Sequence, residues 1–510
     1  MDALGPTILT VAAGSMPRVA TVDERYESYN VEMAEVIGGN FWKPYDKSGA
    51  TPAKPSASSG GAPFEIGGPD PSMFQARPPI ELTNLRLRRL AAALGPAYVR
   101  VSGTWANTVY FHDSDSPPPA TPPAGFKGVL TRAHWKGVVE FAHAVDAKIV
   151  SSFAIGAGVR DASGAWTPDQ AKAVVAYTKA VGGSIVAAEL FNEPTIAAAG
   201  GAPPGYGAKD FAHDEALFRT FVKATDPEMR IVGPGSVGEA IAVVPPGMAI
   251  LHTSDFFASS PPPVFDVFSY HHYGSVSQRC AAMGAGMGTT PAAALSKEWL
   301  ASTDAVLAFY EPFRDRYAPG TPIWLTETGD AACGGNPWAM TFLDSFRYLD
   351  QLGRLAKRGV GAVFHNTLAS SEYGLLQQST FVPRPNYWAA LLWRRLMGTT
   401  VLDAGSAPRN VHLYAHCARQ HPGGVTMLAI NTSLTETVHF DVPVAARRYA
   451  LSARKIDAGE VQLNGQTLAL GPSDALPSLD GVDTPPGRSE LAPGTITFLL
   501  LDGAANAACE

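Results

Sequence analysis

The chain is poor in charge. Asp, Glu, Lys and Arg make up 17% of its 510 residues, and the signs nearly balance, 39 basic against 46 acidic, for a formal net charge of −7. Without a basic excess there is no electrostatic footprint for nucleic acid, and no such partner is expected. Cysteine is scarce: Cys280, Cys333, Cys417 and Cys509 are the four. They form no CxxC pair and no Cys/His spacing of a zinc site, so neither metal nor cofactor is expected, and four in a chain this long do not make a disulfide scaffold. Free or partly buried thiols are the default reading, with a Cys280–Cys333 bridge as the alternative, because both residues follow motifs placed near one site. No apolar run reaches the roughly 18 to 20 residues that span a bilayer, and no membrane partner is expected. The opening "MDALGPTILT" has an acid where a signal peptide carries its basic region. The chain is therefore expected to be cytoplasmic, or periplasmic or secreted if a signal peptide has been removed.

What the sequence does contain is 46% hydrophobic residues, with 50 Gly and 42 Pro, the composition of a folded protein with many loops. "YDKSGATPAKPSASSGGAPFEIGGPDPS" (45–72) reads as one long loop. Around it runs a rhythm. Strand-like stretches begin near residues 25, 97, 147, 185, 229, 265, 321 and 361, and helical periodicity fills most of the gaps, as in "IELTNLRLRRLAAAL" and "AMTFLDSFRYLDQLGRLAKRG". Such alternation predicts a (β/α)8 TIM barrel of the α/β class. A doubly wound open sheet is the alternative, weakened by the lack of a Gly-rich phosphate loop after the first strand. Past about residue 395 the stretches become short and β-rich ("RNVHLYAHCAR", "GGVTMLAINTS", "GTITFLLLDG"), which predicts an accessory all-β sandwich. The expected organisation is residues 1–20 joining the sandwich, 21–385 as the barrel and 386–510 as the C-terminal sandwich.

In such barrels chemistry sits at the C-terminal ends of the strands. Read in turn, those ends hold Asn30-Val31-Glu32, Ser102-Gly103-Thr104-Trp105-Ala106-Asn107, Asn192-Glu193, His271-His272-Tyr273, Glu327-Thr328 and His365-Asn366. Glu193 and Glu327 lie on strands four and seven, on opposite sides of the mouth. Two carboxylates facing across a cleft are what glycoside hydrolysis needs, one to protonate the leaving oxygen and one to attack the anomeric carbon or activate water. Trp105 and Tyr273 suit the faces of a sugar, Asn107 and Asn192 its hydroxyls. Glu32 is as readily a cap or surface charge as a ligand, and Tyr373 is by default a packed loop aromatic. Adjacent His271 and His272 point to opposite faces of a strand and cannot easily chelate one metal; one is expected to line the site and the other to pack in the core.

The ordered set "LGPAYVRVSGTWAN", "FNEP", "YHHYG", "WLTETGDAACGGN" and "PNYWAALLWRRLMGTTVL" resembles the heparanase and β-glucuronidase family, glycoside hydrolase family 79, over about residues 25–405. The resemblance implies a retaining double displacement with Glu193 as acid/base and Glu327 as nucleophile. It implies that Tyr273 supports the nucleophile, that Glu32 is an acidic sugar contact, and that a sugar carboxylate is read by Gly334, Gly335 and Tyr373. Unlike the animal heparanases, the second strand ends in Ser-Gly-Thr-Trp-Ala-Asn, and the loop after it, "YFHDSDSPPPATPPAGFKG", carries acids rather than a basic cluster. These departures favour an exo-acting β-glucuronidase on β-glucuronide-bearing oligosaccharides, polysaccharides or glycoconjugates. An endo-β-glucuronidase, a catalytically inactive carbohydrate-binding barrel, and an arabinofuranosidase or xylosidase are the alternatives.

Overall fold

A computed structural model describes residues 8–45, 71–243, 248–281 and 288–510. Most of the loop expected over 45–72 lies outside them. Eight parallel strands close into a barrel: β1 (Glu27–Glu32), β2 (Ala97–Ser102), β3 (Ala147–Ser152), β4 (Ile185–Glu189), β5 (Arg230–Ser236), β6 (Val267–Tyr273), β7 (Ile323–Gly329) and β8 (Ala362–His365). They are the eight strands expected from the sequence, trimmed at their ends. Where one strand was expected over 25–36, the chain turns helical at Met33–Ile37, because Glu35 Oε2 accepts the Glu32 backbone N–H at 2.7 Å and starts a helix there. Most barrel strands are buried along their whole length, as strands covered on both faces must be, which is why they read as apolar runs without alternation.

The barrel interior is plugged by a layer drawn from seven strands, Tyr98, Val150, Ala187, Val232, Val267, Trp324 and Ala362 with Phe364. Tyr98 packs on Trp324 at 5.0 Å and on Phe364 at 5.8 Å between ring centroids. This layer is the floor of the mouth. With a side-chain period of two, the inward positions above Tyr98, Ala187 and Val267 include Arg100, Glu189 and, beyond Ser269, His271.

The β-rich part forms a nine-stranded and a three-stranded sheet that share one core, including Leu402, Leu413, Met427, Phe440, Leu491 and Leu499. Ile8–Thr10 pairs with Val438–Val442 in the smaller sheet and Arg18–Thr21 with Met397–Leu402 in the larger. The helix Pro385–Leu396 packs on Phe342–Lys357 of the barrel, so we propose that the division falls after Leu396 rather than at residue 386. The sandwich is riveted to the barrel through buried Asp350, which accepts hydrogen bonds from His412 and Tyr414 of the sheet and from Arg354 of its own helix.

All four cysteines are paired, Cys280 with Cys333 and Cys417 with Cys509. This corrects the expectation of free thiols. Sequence separation hid the fact that β6 and β7 are neighbours, so the loops beyond them run side by side and Val276 pairs with Ala332. Closing a loop of 92 residues restricts the unfolded chain. Replacing Cys417 and Cys509 by serine is expected to lower Tm by a few degrees while leaving kcat/KM unchanged, as thermal unfolding and steady-state kinetics will show.

Candidate active site

Arg100 stands at the centre of the mouth, 1% exposed. Its guanidinium donates to both oxygens of Glu189 at 2.8–3.1 Å, to Glu327 Oε2 at 2.9 Å and to Asn192 Oδ1 at 2.8 Å. One buried cation thus joins β2, β4 and β7. A buried charge is tolerable only when paired and hydrogen-bonded, and Glu189 and Glu327 meet that need.

Glu327 reaches this centre through a break in register. Tyr270 on β6 lies opposite Leu325, but His271 lies opposite Glu327, so Thr326 is an extra residue in β7. From Trp324 in the floor layer, strict alternation would send Glu327 outward to the helices. The bulge reverses the phase and aims it inward. Its Oε1 accepts from the Tyr273 hydroxyl at 2.8 Å while Arg100 holds Oε2. Both oxygens of Glu327 are therefore held by donors.

Glu193 is arranged differently. It lies beyond β4 in the left-handed region, φ 59°, just before Pro194. Asn107 holds the preceding residue in place: its Oδ1 accepts the Asn192 N–H at 3.0 Å, and its Nδ2 donates to the carbonyls of Asn192 and Gly200 at 3.1 and 2.9 Å. Asn107 has no exposed surface. The expectation that it meets a sugar hydroxyl is corrected: both amide hydrogens and its Oδ1 are bonded to the backbone that shapes the β4 turn. Asn192 fits its expected place better. Arg100 holds its Oδ1, which leaves the NH2 end for a ligand.

The imidazole of His271 lies between the two glutamates. Its Nδ1 is 3.0 Å from Glu193 Oε1, and its Nε2 faces Arg100 at 3.4 Å. Arginine can only donate, so Nε2 accepts and Nδ1 carries the hydrogen that Glu193 receives. Burial lowers the His271 pKa to about 4, keeping the ring neutral. Burial raises the Glu193 carboxyl to about 7; Arg100 opposes the rise and the charge of Glu189 adds to it. Oxygens of Glu193 and Glu327 and a ring nitrogen of His271 all lie within 4.8 Å of one another. The set could ligate a cation, but Arg100 already supplies positive charge to this spot. His272, on the opposite face, is the core histidine: its Nε2 is 3.5 Å from Ser302 Oγ, and burial lowers its pKa to about 3.

The other expected residues gather on the β7–β8–β1 side. Asn366 donates to Glu32 Oε1 at 3.0 Å, to the Tyr273 hydroxyl at 3.0 Å and to the Tyr373 hydroxyl at 3.2 Å. Burial, and then the charge of Glu327, raise the Glu32 carboxyl well above the usual range. Gly334 and Gly335 both have φ near +80°, and a Cβ on Gly335 would crowd Asp330 and Tyr373. Trp105 is half-buried and stands edge-on to Phe41 and Phe74. The sequence reading gave no role to Arg100, Glu189 or Asn366 and did not identify the partners of His271. A charge inside "AYVRVSG" was a usable signal, because an arginine in a buried strand must find anions.

The profile of "Glycosyl hydrolase family 79, N-terminal domain" matches residues 79–353, more than half of the chain. Baicalin-β-D-glucuronidase of Scutellaria baicalensis is 35% identical over 205 residues, 38% of this chain and 39% of that protein. Heparanase-like protein 1 of Arabidopsis thaliana is 28% identical over 378 residues, 69% of this chain and 65% of that one. The chain thus spans less than two thirds of the length of either relative. Among solved structures, a 4-O-α-L-rhamnosyl-β-D-glucuronidase from Fusarium oxysporum superposes with a TM-score of 0.62 at 12% identity, over 97% of this chain and 100% of that one, a likeness of fold. Because the matched stretch runs from before β2 to beyond β7 and takes in Arg100, Glu193, His271 and Glu327, the chain belongs to glycoside hydrolase family 79.

Proposed function

We propose that this glycosidase is a retaining, exo-acting β-D-glucuronidase that releases terminal glucuronic acid. The observation that carries the retaining mechanism is the approach of Glu193 and Glu327 oxygens to within 4.8 Å. So near an approach agrees with the roughly 5–5.5 Å of retaining pairs rather than the roughly 6.5–9.5 Å that leaves an inverting enzyme room for a water. Glu193, held neutral by burial, protonates the glycosidic oxygen as Glu327 attacks the anomeric carbon and forms a glycosyl ester. Glu193 then takes a proton from the water that cleaves the ester. Arg100 and Tyr273 hold the carboxylate of Glu327 for in-line attack. The Asn192 amide donates to the 2-hydroxyl, a contact that strengthens in the transition state.

The uronate carboxylate is assigned to the loop after β7. Among the described residues, no acceptor is bonded to the N–H groups of Gly334 and Gly335, and Tyr373 accepts from Asn366, so its own proton is free to donate. Exo action is supported by the ribbon of Gly39–Trp42 paired with Phe74–Arg77. It leaves the β1 side and reaches the β7 loop, where Trp42 packs on Gly334 and the Tyr45 hydroxyl donates to the Gly335 carbonyl at 3.3 Å. The acids of the Pro-rich loop after β2, Asp113 and Asp115, are tied to Arg132 of the next helix. Two disulfides suit an oxidising compartment, so a periplasmic or secreted location is proposed.

Glu327→Gln is expected to abolish turnover, since an amide cannot form the ester; near-normal hydrolysis of nitrophenyl β-glucuronide would remove the assignment. Glu193→Ala should spare substrates with very good leaving groups and respond to added azide, and equal losses on activated and poor leaving groups would deny it the acid/base role. Glu193 is protonated below a pH of about 7 and ionised above it. For a poor leaving group, kcat/KM should therefore fall as pH rises through that value, and the fall should flatten for an activated aryl glycoside. Tyr373→Phe removes one hydrogen bond to a charged group and should cost on the order of tenfold in kcat/KM on glucuronides, with little change on β-glucosides. A larger loss on the glucoside would point to a neutral-sugar enzyme.

A further inference from the structure

A short helical turn beyond β6, Gln278–Ala281, carries Arg279 next to the disulfide-bonded Cys280. The Arg279 side chain is 3% exposed and bonds to Glu372 Oε2 at 2.7 Å. It also donates to the Cys333 carbonyl at 3.0 Å and lies over the Tyr45 ring at 4.1 Å. A Cβ on Gly334 would overlap its guanidinium. None of these contacts reaches the catalytic glutamates. All of them converge on the segment Cys333–Gly335.

That segment is held by its carbonyls. The Cys333 oxygen accepts from Arg279 and from Ser277 Oγ at 2.9 Å, the Gly334 oxygen from the Glu372 N–H at 3.0 Å, and the Gly335 oxygen from the Tyr45 hydroxyl. These peptide bonds are trans, and in a planar trans peptide the C=O of one residue and the N–H of the next point in opposite directions. Fixing the Cys333 carbonyl toward Arg279 therefore turns the Gly334 N–H away from it. Fixing the Gly334 carbonyl toward Glu372, itself tethered by Arg279, does the same for the Gly335 N–H. The two donors are aimed as a pair by one side chain on the other side of the loop.

We infer that Arg279 is the positioning residue for uronate recognition: it makes the Gly334–Gly335 loop a preset reader of a carboxylate. The inference rests on the glucuronidase reading above. Without Arg279 the loop keeps its sequence but loses the orientation of its donors, and only the charged sugar uses them. Glucuronide binding therefore weakens while the chemistry at Glu193 and Glu327 is untouched.

The test compares wild type with Arg279→Met on nitrophenyl β-glucuronide and nitrophenyl β-glucoside. Arg279→Met should lower kcat/KM on the glucuronide about ten- to a hundredfold, chiefly through KM, and change the glucoside value less than about threefold. Met leaves Glu372 buried and unpaired, so Arg279→Met/Glu372→Gln is made alongside and should show the same loss of selectivity at a Tm nearer to wild type. A fall of equal size on both sugars in the folded double variant, or an unchanged selectivity, overturns the inference. A wild type that does not prefer the glucuronide overturns the glucuronidase reading instead, so the two failures are distinguishable.

Discussion

A single buried cation organises this site. Arg100 sits where water cannot solvate it, so every neighbouring element must supply it with acceptors. It recruits Glu189 from β4, Glu327 from β7 and the amide of Asn192 from the β4 turn, and its contact with His271 fixes which nitrogen of that ring bears the hydrogen. Removing Arg100 would leave two carboxylates buried in mutual repulsion, which is costlier than never having built the pair. The geometry of the barrel mouth is in this sense a solution to the solvation of one side chain.

The same centre separates the two carboxyls proposed as catalytic. Glu327 is bound directly by the guanidinium and by a tyrosine hydroxyl. Glu193 receives only the neutral His271, and burial raises it to about 7. Two chemically identical groups, within 4.8 Å at their nearest atoms, are thereby given different surroundings, as the proposed roles of acid and nucleophile require. Precision at Glu193 comes from Asn107, whose bonds to the Asn192 backbone hold a turn with a positive-φ glutamate.

Around this fixed centre, specificity is left to loops. The β7 loop is fastened by a disulfide, by Arg279, by Glu372 and by Tyr45 of the ribbon from the β1 side. A loop so tethered loses little entropy when it binds a ligand. The sandwich stands apart from this chemistry and anchors to the barrel through Asp350.

The sequence alone determined the barrel and the sandwich, because hydrophobic periodicity and strand–helix alternation are local properties that burial writes directly into composition. It also picked out Glu193, Glu327, Tyr273 and Asn192 as candidates, since strand ends can be read in order along the chain. The tertiary structure decided the rest. Asn107 became a backbone clamp because the β4 turn folds over it. Glu327 faces inward only because Thr326 bulges, a register event between β6 and β7 that no single strand reveals. Arg100, Asn366 and Arg279 act on partners scores to hundreds of residues away, and the cysteines paired because neighbouring barrel strands bring distant loops together. Such roles depend on which groups are left to solvate a buried charge or a free carbonyl, and that is settled only when the strands have closed.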